Sequence, residues 1–305
     1  MKKFLVFVLV LVLLPGVVLP ALAEDSGFRV SAPSGAPALA LATMAVDEPE
    51  AYTFVAADTI AAEFAGNNAD FIIAPLNAGA KLYKAGKSTY KLGAVVTWGN
   101  LYFASQKADF TLEDINGAEV TLFGENTINA SVALYVLAEN GITPGSVAYL
   151  AGAANTQSLL LTDENAIVLT AEPALTAAKM KNENITAYAV NDLYKNATGF
   201  DGYTQAALFI KAETLAEQPE AVAAFLEQAA EAVGKCTSDV EAVADAAVKL
   251  EILPNAKVAM SAIPNCAIRC VSALEAKDLV EATANIDLSQ FGGAVPADDF
   301  YYEAK

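Results

Sequence analysis

The residues best placed for chemistry stand at a turn near the start of the chain. Phe28–Val30 alternates as a strand does and runs into Ser31-Ala32-Pro33-Ser34-Gly35-Ala36-Pro37. Ala38–Met44 then reads as a helix start, with Pro37 at a tolerated first-turn position. A turn of small residues lets the backbone approach a ligand closely. The first amides of a helix have no internal partner and favour an anion or a polar edge. Ser34 and Gly35 are therefore candidate ligand contacts. Similar strand-to-helix turns begin near Pro75, Gly124 and Glu172.

The later turns supply further candidates, each with an ordinary structural alternative. Pro75 ends a strand, and Asn77 either caps the next helix or donates to a ligand from the same place. Asn126 and Thr127 open a long helix and mirror Ser34 and Gly35, so opposed helix starts could clamp one polar group; capping is again the alternative. Glu172 before Pro173 suits a helix dipole, or selects a cationic or donor-rich ligand if it faces a cleft. Trp98, the only tryptophan, is either hinge packing or a flat apolar wall for a ligand.

Composition narrows the chemistry. The chain has no histidine, which removes the usual general base, the commonest metal ligand and every Ser-His or Cys-His pair. No catalytic residue, metal or cofactor is expected, and Glu125, Glu172 and Lys81 are the only suspects for an enzyme on this scaffold. A formal charge of −18 argues against nucleic acid and anionic lipid as partners. Of the three cysteines, Cys236 is expected to bridge Cys266, with three free thiols as the alternative and Cys270 left over.

Lys2 and Lys3, the apolar run Phe4–Leu14 and Ala21-Leu22-Ala23 form a secretory signal peptide over residues 1–23. No cysteine follows, so no lipid anchor is expected, and the mature chain is expected to be soluble outside the cytoplasm. Short strand-like runs rich in Val, Ile, Phe and Tyr then alternate with Ala-rich helical segments up to Thr186. That alternation predicts an α/β fold with mostly parallel sheets flanked by helices. After Lys211 the pattern turns helical, and Gln290–Lys305 reads as an extended strap. Two extended connections divide the chain into two lobes. Residues 24–100 with 207–305 form one, discontinuous lobe; 104–202 form the other; hinges fall near 100–104 and 202–207.

Several segments resemble one family. They are Ala32–Ala38, Ala69–Asn77, Val96–Tyr102, Leu112–Gly117, Phe123–Thr127, Ala171–Pro173 and the closing Gly292–Tyr302. In this order and spacing the chain resembles the solute-binding proteins of ABC importers, in the nitrate/sulfonate/taurine and thiamine-precursor group, with the type 2 periplasmic-binding-protein fold. The resemblance implies a monomeric periplasmic receptor with two hinge crossovers. It would capture a sulfonate- or nitrate-like anion, or a thiamine-pyrimidine-like compound, between its lobes. Delivery would be to a membrane permease and its ATPase. The chain departs from the pattern in lacking an evident cleft arginine, since Arg29 and Arg269 both sit in strand-like runs, and in lacking the His- and Cys-rich segment of the thiamine-pyrimidine synthases. An exported enzyme, or a sensor module for a signalling partner, is the alternative reading.

Overall fold

A computed structural model describes residues 27–303; the leader expected over 1–23 lies outside them. The first strands follow the alternation read above. They are β1 (Val30–Pro33), β2 (Tyr52–Val55), β3 (Phe71–Pro75) and β4 (Lys91–Thr97). Helices α1 (Ala36–Leu39), α2 (Ala42–Ala45), α3 (Ala61–Gly66) and α4 (Leu76–Lys84) lie between them. The chain then crosses over. It forms β5 (Leu101–Ser105), β6 (Glu119–Phe123), α5 (Ile128–Glu139), β7 (Ser146–Leu150) and α6 (Ala153–Thr162). β8 (Ile167–Ala171), α7 (Ala174–Lys179), β9 (Thr186–Ala189) and α8 (Val190–Thr198) complete that region. It crosses back into β10 (Ala206–Ile210), α9 (Ala212–Glu217), α10 (Pro219–Ser238), α11 (Val240–Lys249), α12 (Ala256–Ala262), β11 (Ile268–Ser272) and α13 (Lys277–Ile286).

Two sheets result. The first has the order β11-β4-β10-β3-β1-β2 and the second β7-β6-β8-β5-β9. Both are mixed, and most strands of each run in one direction, as expected of the α/β fold: β1–β4 in the first and β6–β9 in the second. β1, β2 and β3 run parallel, as do β6, β7 and β8, but β10 is antiparallel to β3 and β4, β11 to β4, and β5 to β8 and β9. The physical reason is the crossovers. β5 and β10 are the first strands laid down after each crossing, so each enters its sheet from the hinge end and points away from it.

Strands buried on both faces read as continuous apolar runs, as Phe71–Ala74 and Ala206–Ile210 do. α10 covers the first sheet with Val222, Phe225, Ala229 and Val233, spaced at three and four residues. Phe225 stacks on Phe71 with ring centroids 3.9 Å apart, and Phe28 meets both edge-on. The tail returns along this lobe, where Tyr302 N donates to Leu92 O at 2.8 Å.

The expected Cys236–Cys266 bridge is not formed. All three cysteines are free, and the two buried ones belong to the same core cluster. Each has its own acceptor: Cys236 Sγ donates to Leu39 O at 3.7 Å and Cys266 Sγ to Ala262 O at 3.3 Å. Burial pushes the Cys236 thiol up to about 12 and holds Cys266 well above its usual range, so neither is ready to form the thiolate that disulfide exchange needs. Among the described residues, no helix is long and apolar enough to cross a membrane.

Candidate functional site

The carboxyl ends of β1, β3 and β4 in one sheet and of β6 and β8 in the other lie towards the two crossovers. In open α/β sheets ligands bind beyond such ends. The first crossover is Trp98-Gly99-Asn100. The second passes through Tyr203, Thr204 and Gln205. Gln205 binds both. Its Nε2 donates to Asn100 Oδ1 at 3.0 Å and to Asn129 Oδ1 at 3.4 Å, and its Oε1 accepts from Thr97 Oγ1 at 3.3 Å. Its main chain joins in, with Gln205 N donating to Thr97 O and Leu76 N donating to Gln205 O, each at 3.0 Å. Asn129 Oδ1 also accepts from the buried Tyr203 hydroxyl at 2.8 Å. Asn100 is pinned to the second sheet, because its Nδ2 donates to Glu172 O at 2.7 Å and its carbonyl accepts from Glu172 N at 3.0 Å. One network therefore links β3, β4, β8, the start of α5 and both crossovers.

The sequence-derived candidates fall in different places. Ser34 is exposed, and its amide donates to Val55 O at 2.9 Å. Gly35, at φ 102°, has open space around its Cα and precedes a helix of four residues. The Ala38 and Leu39 amides turn back onto Gly35 O, and Pro37 has none to give. That turn presents fewer free amides than a full helix start would.

Pro75 ends β3 without a side-chain cap. Asn77 does not cap α4 either: its Nδ2 reaches Gln290 Oε1 at 3.4 Å, and its buried Oδ1 has no partner. Trp98 is fully buried in the crossover, with Nε1 donating to Arg269 O at 3.0 Å and the Arg269 guanidinium 4.1 Å from the ring centroid. These contacts are those of hinge packing. Thr127 is the cap of α5, with Ala130 N donating to its Oγ1 at 3.4 Å, while Asn126 beside it is exposed at φ 59°.

Glu172 is buried, and its carboxylate accepts from Thr176 N at 3.1 Å and Thr176 Oγ1 at 2.9 Å, closing the first turn of α7. Burial raises its pKa; the two Thr176 hydrogen bonds oppose the rise. Glu125 is exposed and Lys81 lies one turn beyond Asn77 on α4, so the three enzyme suspects are not assembled into a pair.

Of the candidates, Glu172 joins the inter-sheet network through its main chain, and Asn77 adjoins it as the neighbour of Leu76. Asn100, Asn129, Tyr203 and Gln205 were missed. A usable signal was present: Asn100, Asn129 and Gln205 are carboxamides in or beside the extended connections. A concavity of about 660 Å³ lies elsewhere, lined by Leu215, Pro219, Ala223 and Tyr301 and reaching Lys91 at the opposite end of β4.

Solved structures share this architecture. An ABC transporter structure from Parabacteroides distasonis superposes with a TM-score of 0.79 at 20% identity, covering 92% of this chain and all of that one (100%). The periplasmic aliphatic sulphonate binding protein of Escherichia coli gives 0.71 at 14% identity, covering 91% and 92%. The alkanesulfonate-binding protein of Xanthomonas axonopodis pv. citri, bound to MOPS, gives 0.65 at 15% identity, covering 90% and 97%. This chain has the periplasmic-binding-protein fold. No family model and no curated protein matches the sequence. The hydrogen bonds of Gln205, Asn100 and Asn129 lie where the two crossovers join the two sheets.

Proposed function

We propose that the protein is an extracytoplasmic substrate-binding protein of an ABC importer. It is non-catalytic: a small molecule binds at the inter-lobe floor, the lobes close on it about Trp98–Asn100 and the segment ending at Gln205, and the closed form engages a permease and its ATPase. The observation that carries this reading is the Gln205-centred network. It puts polar side chains from both lobes and both crossovers at the strand ends where ligands bind in open α/β sheets. Carboxamides in a hinge are poor catalysts but good orienting groups, since they donate and accept without changing charge. The neighbours named for sulphonate binding and for ABC transport favour the same reading.

Ligand that binds only the folded protein stabilises it by about 2.7 kcal/mol at a hundredfold excess over Kd. Thermal denaturation against nitrate, alkanesulfonates, pyrimidines and amines is expected to show a rise of several degrees for one class. Native mass spectrometry of gently purified protein is expected to show carried-over cargo. Absence of both effects would sink the proposal.

A further inference from the structure

Each crossover is gripped by a side chain from the half of the molecule that it enters. The first leaves β4 for β5. Its carbonyls at Trp98 and Gly99 both accept from Asn191 Nδ2, at 2.8 and 2.7 Å. Asn191 stands on α8, which packs on β5 and β9 of the second sheet. The second crossover leaves α8 for β10. Its carbonyl at Asp201 accepts from Arg269 Nη2 at 3.0 Å. Arg269 stands on β11, which pairs with β4 in the first sheet. The same guanidinium lies 4.1 Å from the Trp98 ring centroid, and Trp98 Nε1 donates back to Arg269 O at 3.0 Å. Arg269 therefore touches both crossovers at once. A planar guanidinium suits that place, since its face stacks on an aromatic ring while its edge N–H groups donate sideways.

Beyond the grips the chain is pinned on both sides. Before Gly99, Trp98 N donates to Ala267 O at 3.0 Å, on the approach to β11. After it, Asn100 is tied to Glu172 of the second sheet. In the second crossover, Lys195 of α8 pairs with the Asp201 carboxylate at 2.6 Å, on the side of the second sheet. Thr204 N donates to Thr283 Oγ1 of α13 at 3.1 Å and Gln205 N to Thr97 O at 3.0 Å, on the side of the first. The backbone left between these pins is Gly99 in one crossover and Gly199–Gly202 in the other. Its three glycines have φ of 81°, 80° and 103°.

Resting on the receptor reading above, we propose that Arg269 and Asn191 are the positioning residues of the hinge. Together they confine the relative movement of the lobes to the backbone of Gly99 and of Gly199–Gly202. They also hold the buried Trp98 ring against both crossovers. Loss of either grip frees one crossover from the half that it enters, and the lobes then sample a wider range of orientations.

The test uses the protein without ligand, so it does not depend on the cargo. Trp98 is the only tryptophan, and its fluorescence reports this place alone. Arg269→Met keeps an apolar stem on the ring and removes the charge and the donor. Asn191→Leu removes both donations at similar volume. Each variant is expected to show stronger acrylamide quenching of Trp98 and a larger radius of gyration in small-angle scattering, with unchanged circular dichroism. Arg269→Lys keeps a cation but not the fork, and is expected to fall between Arg269→Met and wild type. A residue that only stabilises the fold would lower the melting temperature and leave the folded protein's quenching and radius at wild-type values. That result in a folded variant overturns the role of the residue replaced. If Asn191→Leu does not fold, the two variants at the exposed Arg269 decide, and wild-type values in both overturn the proposal. Loosened variants from a wild-type protein that carries no cargo and binds no ligand would sink the receptor reading and leave the hinge assignment standing.

Discussion

Glu172 ties the first crossover to the second sheet and also closes a helix turn. Its backbone pairs with Asn100 across two strands, and its buried carboxylate caps α7 through Thr176. Burial raises the carboxyl pKa above its ordinary value near 4.5. The folded state therefore keeps the proton to higher pH than the unfolded chain does. Its contribution is most favourable at acid pH and is lost as pH rises from the ordinary value through the raised one. Glu172→Gln keeps an acceptor for Thr176 and removes the titration. Urea unfolding across the acid range is expected to show a flatter pH dependence than wild type in that window, with equal or greater stability at neutral pH. Glu172→Ala, which strands the Thr176 amide, is expected to cost about 1 kcal/mol at neutral pH and more at acid pH, where the protonated carboxyl contributes most. A Gln variant with an unchanged pH slope would place the raised pKa elsewhere.

At the scale of elements, the two crossovers are packed on each other through glycine. Gly202 has φ 103°, and a Cβ there would stand 2.4 Å from Trp98 O. Gly99 has φ 81°, and a Cβ there would meet the Tyr203 ring at 2.4 Å. Asn191 of α8 locks the contact by donating to both Trp98 O and Gly99 O, at 2.8 and 2.7 Å. Gly202→Ala must therefore move backbone, and chemical denaturation is expected to show a loss of roughly 2–4 kcal/mol. Gly86→Ala serves as the control, since its φ of 65° carries backbone strain but no atom lies within 4 Å. A similar loss in both would mean that positive φ, not crossover packing, sets the cost.

The same elements show what was legible in the sequence. Tyr52–Val55, Glu119–Phe123 and Ser146–Leu150 are short runs rich in Val, Phe, Tyr and Leu beside turn residues, and each is a strand. α8 was missed because five of the nine residues of Val190–Thr198 are Asn, Asp, Tyr or Thr, weak helix formers, although Gly199 at φ 80° marks its end in the expected way. The antiparallel strands were invisible because strand direction depends on which lobe the chain is entering, and no local pattern records that. The site was only partly legible for a related reason. A helix-start turn announces itself in sequence, whereas Gln205 and Asn129 become neighbours only when the lobes meet.

On the scale of the whole molecule, the lobes touch on both sides of the hinge. Ser131 of α5 donates to Asp287 at the end of α13, and Tyr102 of β5 donates to Asn265 O, just before β11, at 3.1 Å. α13 also packs on α5, and α12 on α7. On the proposed receptor reading, these contacts are expected to favour a closed form before any ligand arrives, and each hydrogen bond removed to shift the balance by about 0.5–1.5 kcal/mol. Ser131→Ala with Tyr102→Phe together removes roughly 1–3 kcal/mol, a change of about 5- to 150-fold in the closed-to-open ratio. Small-angle scattering of the ligand-free protein is expected to give a larger radius of gyration for the double variant than for wild type, a readout that loss of a ligand contact cannot move. Saturating ligand is expected to bring both to the same compact value, and the variant to bind more weakly by the factor that its opening predicts. Equal ligand-free radii would mean that the two contacts follow closure instead of favouring it, and that the packing of α13 on α5 and α12 on α7 holds the lobes together.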